Sequence, residues 1–220
     1  MRRAQQVSSR PLGAAARVRR FAPRGQPYLA CTVRRNIGRV QGAELVPQGK
    51  VLVYDGVGML FRGDTCIIVY QKAARIERTR WLFDVVENYL ADHDTELLAF
   101  LIVLPSADPP DAATRQENAD RLRKLGPRVR RLVTMPIGNA FKMNLVRAIM
   151  RGLNVLLRHS DTRSIADTVD EGLEALREDA SEHTPPAGQM RDDIGVIYQA
   201  LGEPVPKFPS IRPGRRSDPH

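Results

Sequence analysis

Residues 121–131, RLRKLGPRVRR, hold six cations and no acid: Arg121, Arg123, Lys124, Arg128, Arg130 and Arg131. Such a cluster has the chemistry to bind the phosphates of a lipid or nucleic acid, or an acidic partner. The same charges at a helix C-terminus can instead offset the helix dipole and remain in water. A second candidate lies in residues 136–139, PIGN, ahead of Phe141 and Lys142. Free N–H groups at a helix start there could hold an anion. The glycines match neither G-x-G-x-x-G nor G-x-x-x-x-G-K-S/T, so no nucleotide cofactor is expected. Gly138, Asn139 and Phe141 are read as partner-contact candidates, together with Asp108 in the loop 105–110, PSADPP.

Catalytic chemistry is not gathered anywhere. His93, His159, His183 and His220 fall in polar segments without H-x-x-x-H or H-x-x-E spacing, so no metal site is expected. Asp92, Asp94 and Glu96 read as a solvated turn rather than an acid/base pair. Cys66 lies in an apolar strand and reads as a small core residue, and with Cys31 it makes no metal-ligand spacing and no disulfide framework. The expectation is a protein with no catalytic residue and no cofactor, hence not an enzyme. Two cysteines fit a reducing cytoplasm most simply.

The elements that would position these residues centre on residues 97–104, LLAFLIVL, eight apolar residues that end at Pro105. An unbroken apolar run of that length predicts a strand covered on both faces. Before it, residues 50–71 predict two strands: VLVYDGVGMLF, then TCIIVY, with a turn near Gly63. Trp81, Leu82, Val85, Val86, Tyr89 and Leu90 make one apolar stripe of a helix over residues 74–92, with Trp81 read as a core residue. After the central strand, Asp108 is placed as N-cap with Pro109 at the first helical position of a helix running to Leu125. A strand over 128–134 follows, then a long helix over 141–157 that is apolar around most of its circumference and should be deeply packed. A short edge strand is placed in 158–163. Ser164 is placed as cap of the next helix, whose buried face is Ile165, Val169, Leu173 and Leu176. Residues 181–189 read as a linker and 192–201 as a last amphipathic helix. The resulting order, β β α β α β α β α, predicts an α/β fold with a mainly parallel sheet covered by helices.

Charge is uneven along the chain of 220 residues. Residues 1–43 carry +10, residues 44–203 carry −4, and residues 204–220 carry +3. A folded body that is slightly acidic makes nucleic acid an unexpected partner for it, despite the net +9. The acid-free, Arg-rich stretch 1–43 is expected to be a disordered arm. It has the composition of a transit peptide, of a basic arm for nucleic acid or anionic lipid, or of upstream sequence read from a misplaced start codon. Arginine outnumbers lysine 29 to 5, the bias of a GC-rich bacterial genome. The Pro-rich end, 203–220, is expected to be loose. No apolar run approaches the roughly 18 residues of a membrane span.

Residues 65–177 resemble the STAS (anti-sigma-factor antagonist) superfamily, closest to its divergent STAS-like or SEC14-like members of the kind abundant in myxobacteria. The resemblance rests on MPIGNAFKMNLVRAIMRGLNVLLR followed by SIADTVDEGLEAL, with GPRVRRLV before them. It implies a non-enzymatic interaction domain whose partner is another signalling protein, bound through loops at one end of the sheet. It also implies a serine phospho-acceptor in the loop after the third strand, where Ser106 is the only hydroxyl. The usual Asp-Ser-Ser/Thr-Gly motif is absent; Pro105-Ser106-Ala107-Asp108 stands in its place. The alternative is a SEC14-like carrier of a lipid or small ligand. A carrier would need a cavity between the apolar faces of 81–90 and 141–157.

Overall fold

The structure is a computed structural model that describes residues 46–157 and 162–205, of which residues 140–142, 150 and 153–157 are described by backbone alone. The basic arm, most of the Pro-rich end, Cys31, His159, His220 and the side chain of Phe141 lie outside the described residues.

A six-stranded mixed sheet runs in chain order: β1 (Val51–Tyr54), β2 (Val57–Arg62), β3 (Thr65–Tyr70), β4 (Leu97–Val103), β5 (Val129–Pro136) and β6 (Arg163–Ile165). The first two pairings are antiparallel and the last three parallel. The helices are α1 (Ile76–Asp92), α2 (Ala112–Leu125), α3 (Ala140–Leu157), α4 (Val169–Arg177) and α5 (Ala187–Leu201). The α/β class and the central place of the apolar run follow the sequence reading, with β4 between β3 and β5.

The first departure is at VLVYDGVGMLF, which is two strands and not one. Asp55 (φ 41°) and Gly56 (φ 82°) both take left-handed backbone and close a tight β1–β2 hairpin. Two positive φ values in a two-residue loop match the right-handed twist of the flanking strands. The second departure concerns Asp108. It is not the cap of α2; Asp111 is, its side chain accepting from the Thr114 N–H at 2.7 Å. The physical reason is Pro110, which keeps the preceding Pro109 out of helical backbone and so delays the helix. The third concerns Ser164, which lies in β6. Thr168 caps α4 instead, accepting from the Glu171 N–H at 3.2 Å.

Odd and even residues of the strands feed two different cores. On one face, Leu98, Phe100, Ile102, Val133 and Met135 pack against α4 and α5. Met190, Ile194 and Ile197 of α5 are fully buried there. A Cβ at Gly58 would sit 2.6 Å from the Ile197 side chain, so β2 and α5 touch backbone to side chain. The last helix therefore completes the domain's own core, and it begins five residues earlier than the stripe over 192–201 predicts. Arg62 of β2 fastens it, donating twice at 2.7 Å to buried Asp193. On the other face, Cys66, Ile68, Tyr70 and Leu97 meet α1. Burial pushes the Cys66 thiol pKa up, as for an inert core residue.

The segment 181–189 is anchored rather than solvated. Asp64, 1 % exposed at the β2–β3 turn, accepts from Ser181 Oγ at 2.7 Å, Thr184 Oγ1 at 2.8 Å and Arg130 Nη2 at 2.7 Å. Gly63 beside it has φ +55°, and a Cβ there would stand 2.0 Å from the His183 carbonyl oxygen.

Candidate functional site: an apolar cavity under the third helix

Over its described side chains, 143–149 and 151–152, helix α3 is not deeply packed. None of its described side chains is buried; Met143, Leu145, Val146 and Ile149 are half-buried. An all-round apolar helix normally reports a protein interior. Here the helix stands off the sheet instead, and a cavity of about 170 Å³ lies beneath it.

Its floor is one face of the parallel strands: Ile68 and Tyr70 of β3, Leu97, Ala99, Leu101 and Val103 of β4, Leu132 and Thr134 of β5. Period-two alternation puts these side chains on one side and Phe100, Ile102 and Val133 on the other. Ala99 is the small residue in this set, and a methyl where its neighbours carry larger groups leaves room above the middle of the sheet. The walls are Leu82, Phe83 and Val86 of α1, Leu122 and Leu125 of α2, and Val146 and Ile149 of α3. Lining runs from Leu97 to Val103, a strand length of about 20 Å. Across the strands, from β3 to β5, it spans about 10 Å. Polar groups are confined to Asp108 and Asn118 at the rim and to Tyr70 and Thr134 on the floor.

The arrangement can exclude water from an apolar molecule and hold it by contact. A dry cavity of about 150 Å³ takes up a molecule of about six carbons, so this one suits a compact ligand or a short chain rather than a two-tailed lipid. The lining holds no nucleophile–base pair, and the carboxylate at its rim, Asp108, faces no histidine or second acid among the lining residues.

The other sequence candidates are distributed as follows. Ser106 is exposed, and its Oγ donates to the Gln71 carbonyl at 2.6 Å. With Asp108 it borders an open polar recess shared with Lys72, Arg75, Arg78 and Glu203. Gly138 and Asn139 are exposed at the same end of the sheet. The six cations of 121–131 are not brought together. Arg121 pairs with Asp84, Glu87 and Glu117, Lys124 with Glu87, and Arg123 with Asp120. Arg128 donates to the His93 and Thr95 carbonyls. Arg130 goes to Asp64, and Arg131 to Glu178 and Asp179. The phosphate-patch reading thus meets six cations that each already have a partner. Glu117 and Asp120 lie within one helical turn of their partners, whereas Asp64, Asp84, Glu87, Glu178 and Asp179 are long-range and a local sequence window cannot show them.

Glu87 is where two of these cations meet. Burial works to raise its pKa, but hydrogen bonds and charge from Arg121 and Lys124 outweigh it and hold the carboxyl below its ordinary value. Arg121 and Lys124 are therefore a tie between α2 and α1, two of the three helices that wall the cavity. His93 stacks on Tyr89 with ring centroids 4.1 Å apart, and His183 lies exposed beside Glu182. Among the described residues no three His, Cys, Asp or Glu side chains stand close enough to share a metal ion. No helix among them is long and apolar enough to cross a membrane.

The cavity is what local sequence reasoning could only state as a requirement. The signal for it was an apolar helix circumference on α3 opposite an alanine in an otherwise large-residue strand. Comparison with models of known protein families, and with curated proteins, returns no match.

Proposed function

We propose that this chain is a non-enzymatic binding domain of STAS-like architecture whose α1–α2–α3 side takes up a compact apolar ligand. The observation that carries the proposal is the cavity of about 170 Å³ between Leu82, Phe83 and Val86 on one wall and Val146 and Ile149 on another. This is the SEC14-like carrier reading, restricted by volume to a short chain. Natural cores are close-packed, with few voids larger than a water molecule, so a space of this size lined by side chains from six elements is a feature to be used. The test is a thermal-shift series on the full chain with straight-chain alcohols from butanol to dodecanol. Stabilisation should rise to a maximum near about six to eight carbons and then fall, because volume sets the limit. A response that is flat, or destabilising throughout, would sink the ligand reading.

A second reading is favoured by a different observation. Ser106, Asp108, Gly138 and Asn139 are all exposed at the end of the sheet where β4 and β5 terminate. A signalling protein bound through these loops, with Ser106 as phospho-acceptor, is the role the family resemblance implies. Its test is whether Asp108→Arg removes a stoichiometric protein that accompanies the wild-type chain from its native cells. Retention of that protein by the variant would exclude this end of the sheet as the contact.

A further inference from the structure

Arginines in this domain are placed with care. Arg62, Arg78, Arg121, Arg130, Arg131, Arg147 and Arg191 each face a carboxylate. Arg163 of β6 does not. It is half-buried, its Nη1 is buried with no hydrogen-bond partner, and it makes no ion pair among the described residues. Burial alone pushes its pKa down, with no neighbouring anion to oppose that. A guanidinium nitrogen buried without a partner is costly, since its lost hydration is not replaced.

Its position in the sheet says what would answer it. Arg163 is in register with Leu132, and Ile165 with Thr134. Leu132 and Thr134 belong to the cavity floor. Residues in register on neighbouring parallel strands point to the same face, so Arg163 stands on the cavity side of the sheet. It is one strand spacing, about 4.8 Å, from the floor. Ile165 on the same strand and Val146 of α3 both pack against the Ala99–Leu132 cluster, so the cavity face continues onto β6. An apolar cavity and an uncompensated cation therefore share one face of the sheet; Arg163 is not itself a lining residue and stands one strand beyond the floor.

We infer that the ligand is a short-chain or medium-chain carboxylic acid, its hydrocarbon tail lying along β4 and its carboxylate on the guanidinium of Arg163. The inference rests on the ligand-binding reading above and names the chemical class that reading left open. One guanidinium carries one positive charge and a planar fork of donors, which a carboxylate matches in both charge and geometry. A phosphate dianion would bring a second charge, and Arg147 of α3 is already paired with Asp167. The cavity volume sets the tail, and Arg163 sets the head group.

The experiment compares octanoate with 1-octanol on the full chain by isothermal titration calorimetry at neutral pH, in the wild type and in Arg163→Gln. The two probes share a tail and differ in charge. Octanoate should bind the wild type at least about tenfold more tightly than octanol, the return expected from a charge-assisted hydrogen bond. Arg163→Gln should erase that preference and leave octanol affinity unchanged. Arg163→Lys, which keeps the charge and loses the fork, should keep part of the preference and serves if the glutamine variant does not fold. Equal affinity of the wild type for both probes, or a preference that survives Arg163→Gln, overturns the carboxylate assignment while leaving the cavity reading intact. Failure of both probes to bind the wild type overturns the cavity reading and the assignment together.

Discussion

Replacing Asp64 tests how the two halves of the domain are joined. Its Oδ2 accepts from Arg130, Ser181 and Thr184, which lie on β5 and on the segment leading to α5. In Asp64→Ala all three donors lose their acceptor at once. Deleting one partner of a buried ion pair costs about 3–5 kcal/mol, because the remaining charge is left without compensation. Arg130 keeps 27 % side-chain exposure, so water can reach part of the guanidinium and the lower end applies. We therefore expect a loss of about 3 kcal/mol for alanine. Asp64→Asn retains an oxygen for the two hydroxyls and loses only the charge on Arg130, a cost of about 1.5 kcal/mol. For a domain of this size each kcal/mol moves Tm by about 2–4 °C, giving a fall of about 6–12 °C for alanine and about half that for asparagine. Thermal melts of the full chain followed by circular dichroism read this directly. A melting point for Asp64→Ala within about 2 °C of wild type would show that the hub does not hold the α5 segment, and asparagine costing more than alanine would refute the order of the terms.

Three further outcomes follow from other parts of the structure. Ile102 is fully buried on the α4–α5 face of the central strand, so Ile102→Asp should abolish cooperative folding, and a sharp melt would show that the strand is misplaced. Ala99→Leu puts side-chain volume into the cavity floor; Tm should hold or rise by a few degrees, whereas in a close-packed core the same change would cost about 1–3 kcal/mol. The depressed Glu87 pKa stabilises the fold above the unfolded carboxyl pKa of about 4.3 and ceases to do so as pH falls through the lower folded value. Glu87→Gln should thus melt below wild type near pH 7, with the gap closing towards about pH 3, and a gap that widens in acid would contradict the pairing.

The parts of this architecture legible in the sequence were those written in local pattern. Residues 97–104 announced a strand covered on both faces because no polar residue interrupts them. The stripe from Trp81 to Leu90 announced one apolar helix face, and Trp81 does lie at the edge of that packing, stacked on Tyr54 with centroids 5.2 Å apart. The turn at Gly63 was marked by Arg62-Gly63-Asp64. What pattern concealed was long-range. Asp64 is visible in the sequence only as part of a turn, yet Ser181 and Thr184, more than a hundred residues on, donate to its buried carboxylate. The Asp55-Gly56 hairpin was hidden by the apolar residues on either side of it. Helix α3 looked like a core helix because apolar circumference reports only that water is avoided, not whether side chains or a cavity replace it. The cations of 121–131 looked free because Asp84, Glu87, Glu178 and Asp179 are distant in sequence.

Entry of apolar molecules into the space under α3 is tested most directly by methyl-resolved NMR of the full chain titrated with 1-octanol. Saturable shifts should appear at the methyls of Ile68, Leu82, Leu101, Val103, Leu122 and Ile149, which line the cavity, while those of Leu173, Ile194 and Ile197 in the opposite core stay in place. Shifts spread evenly over both sets, or none in the first, would contradict the account.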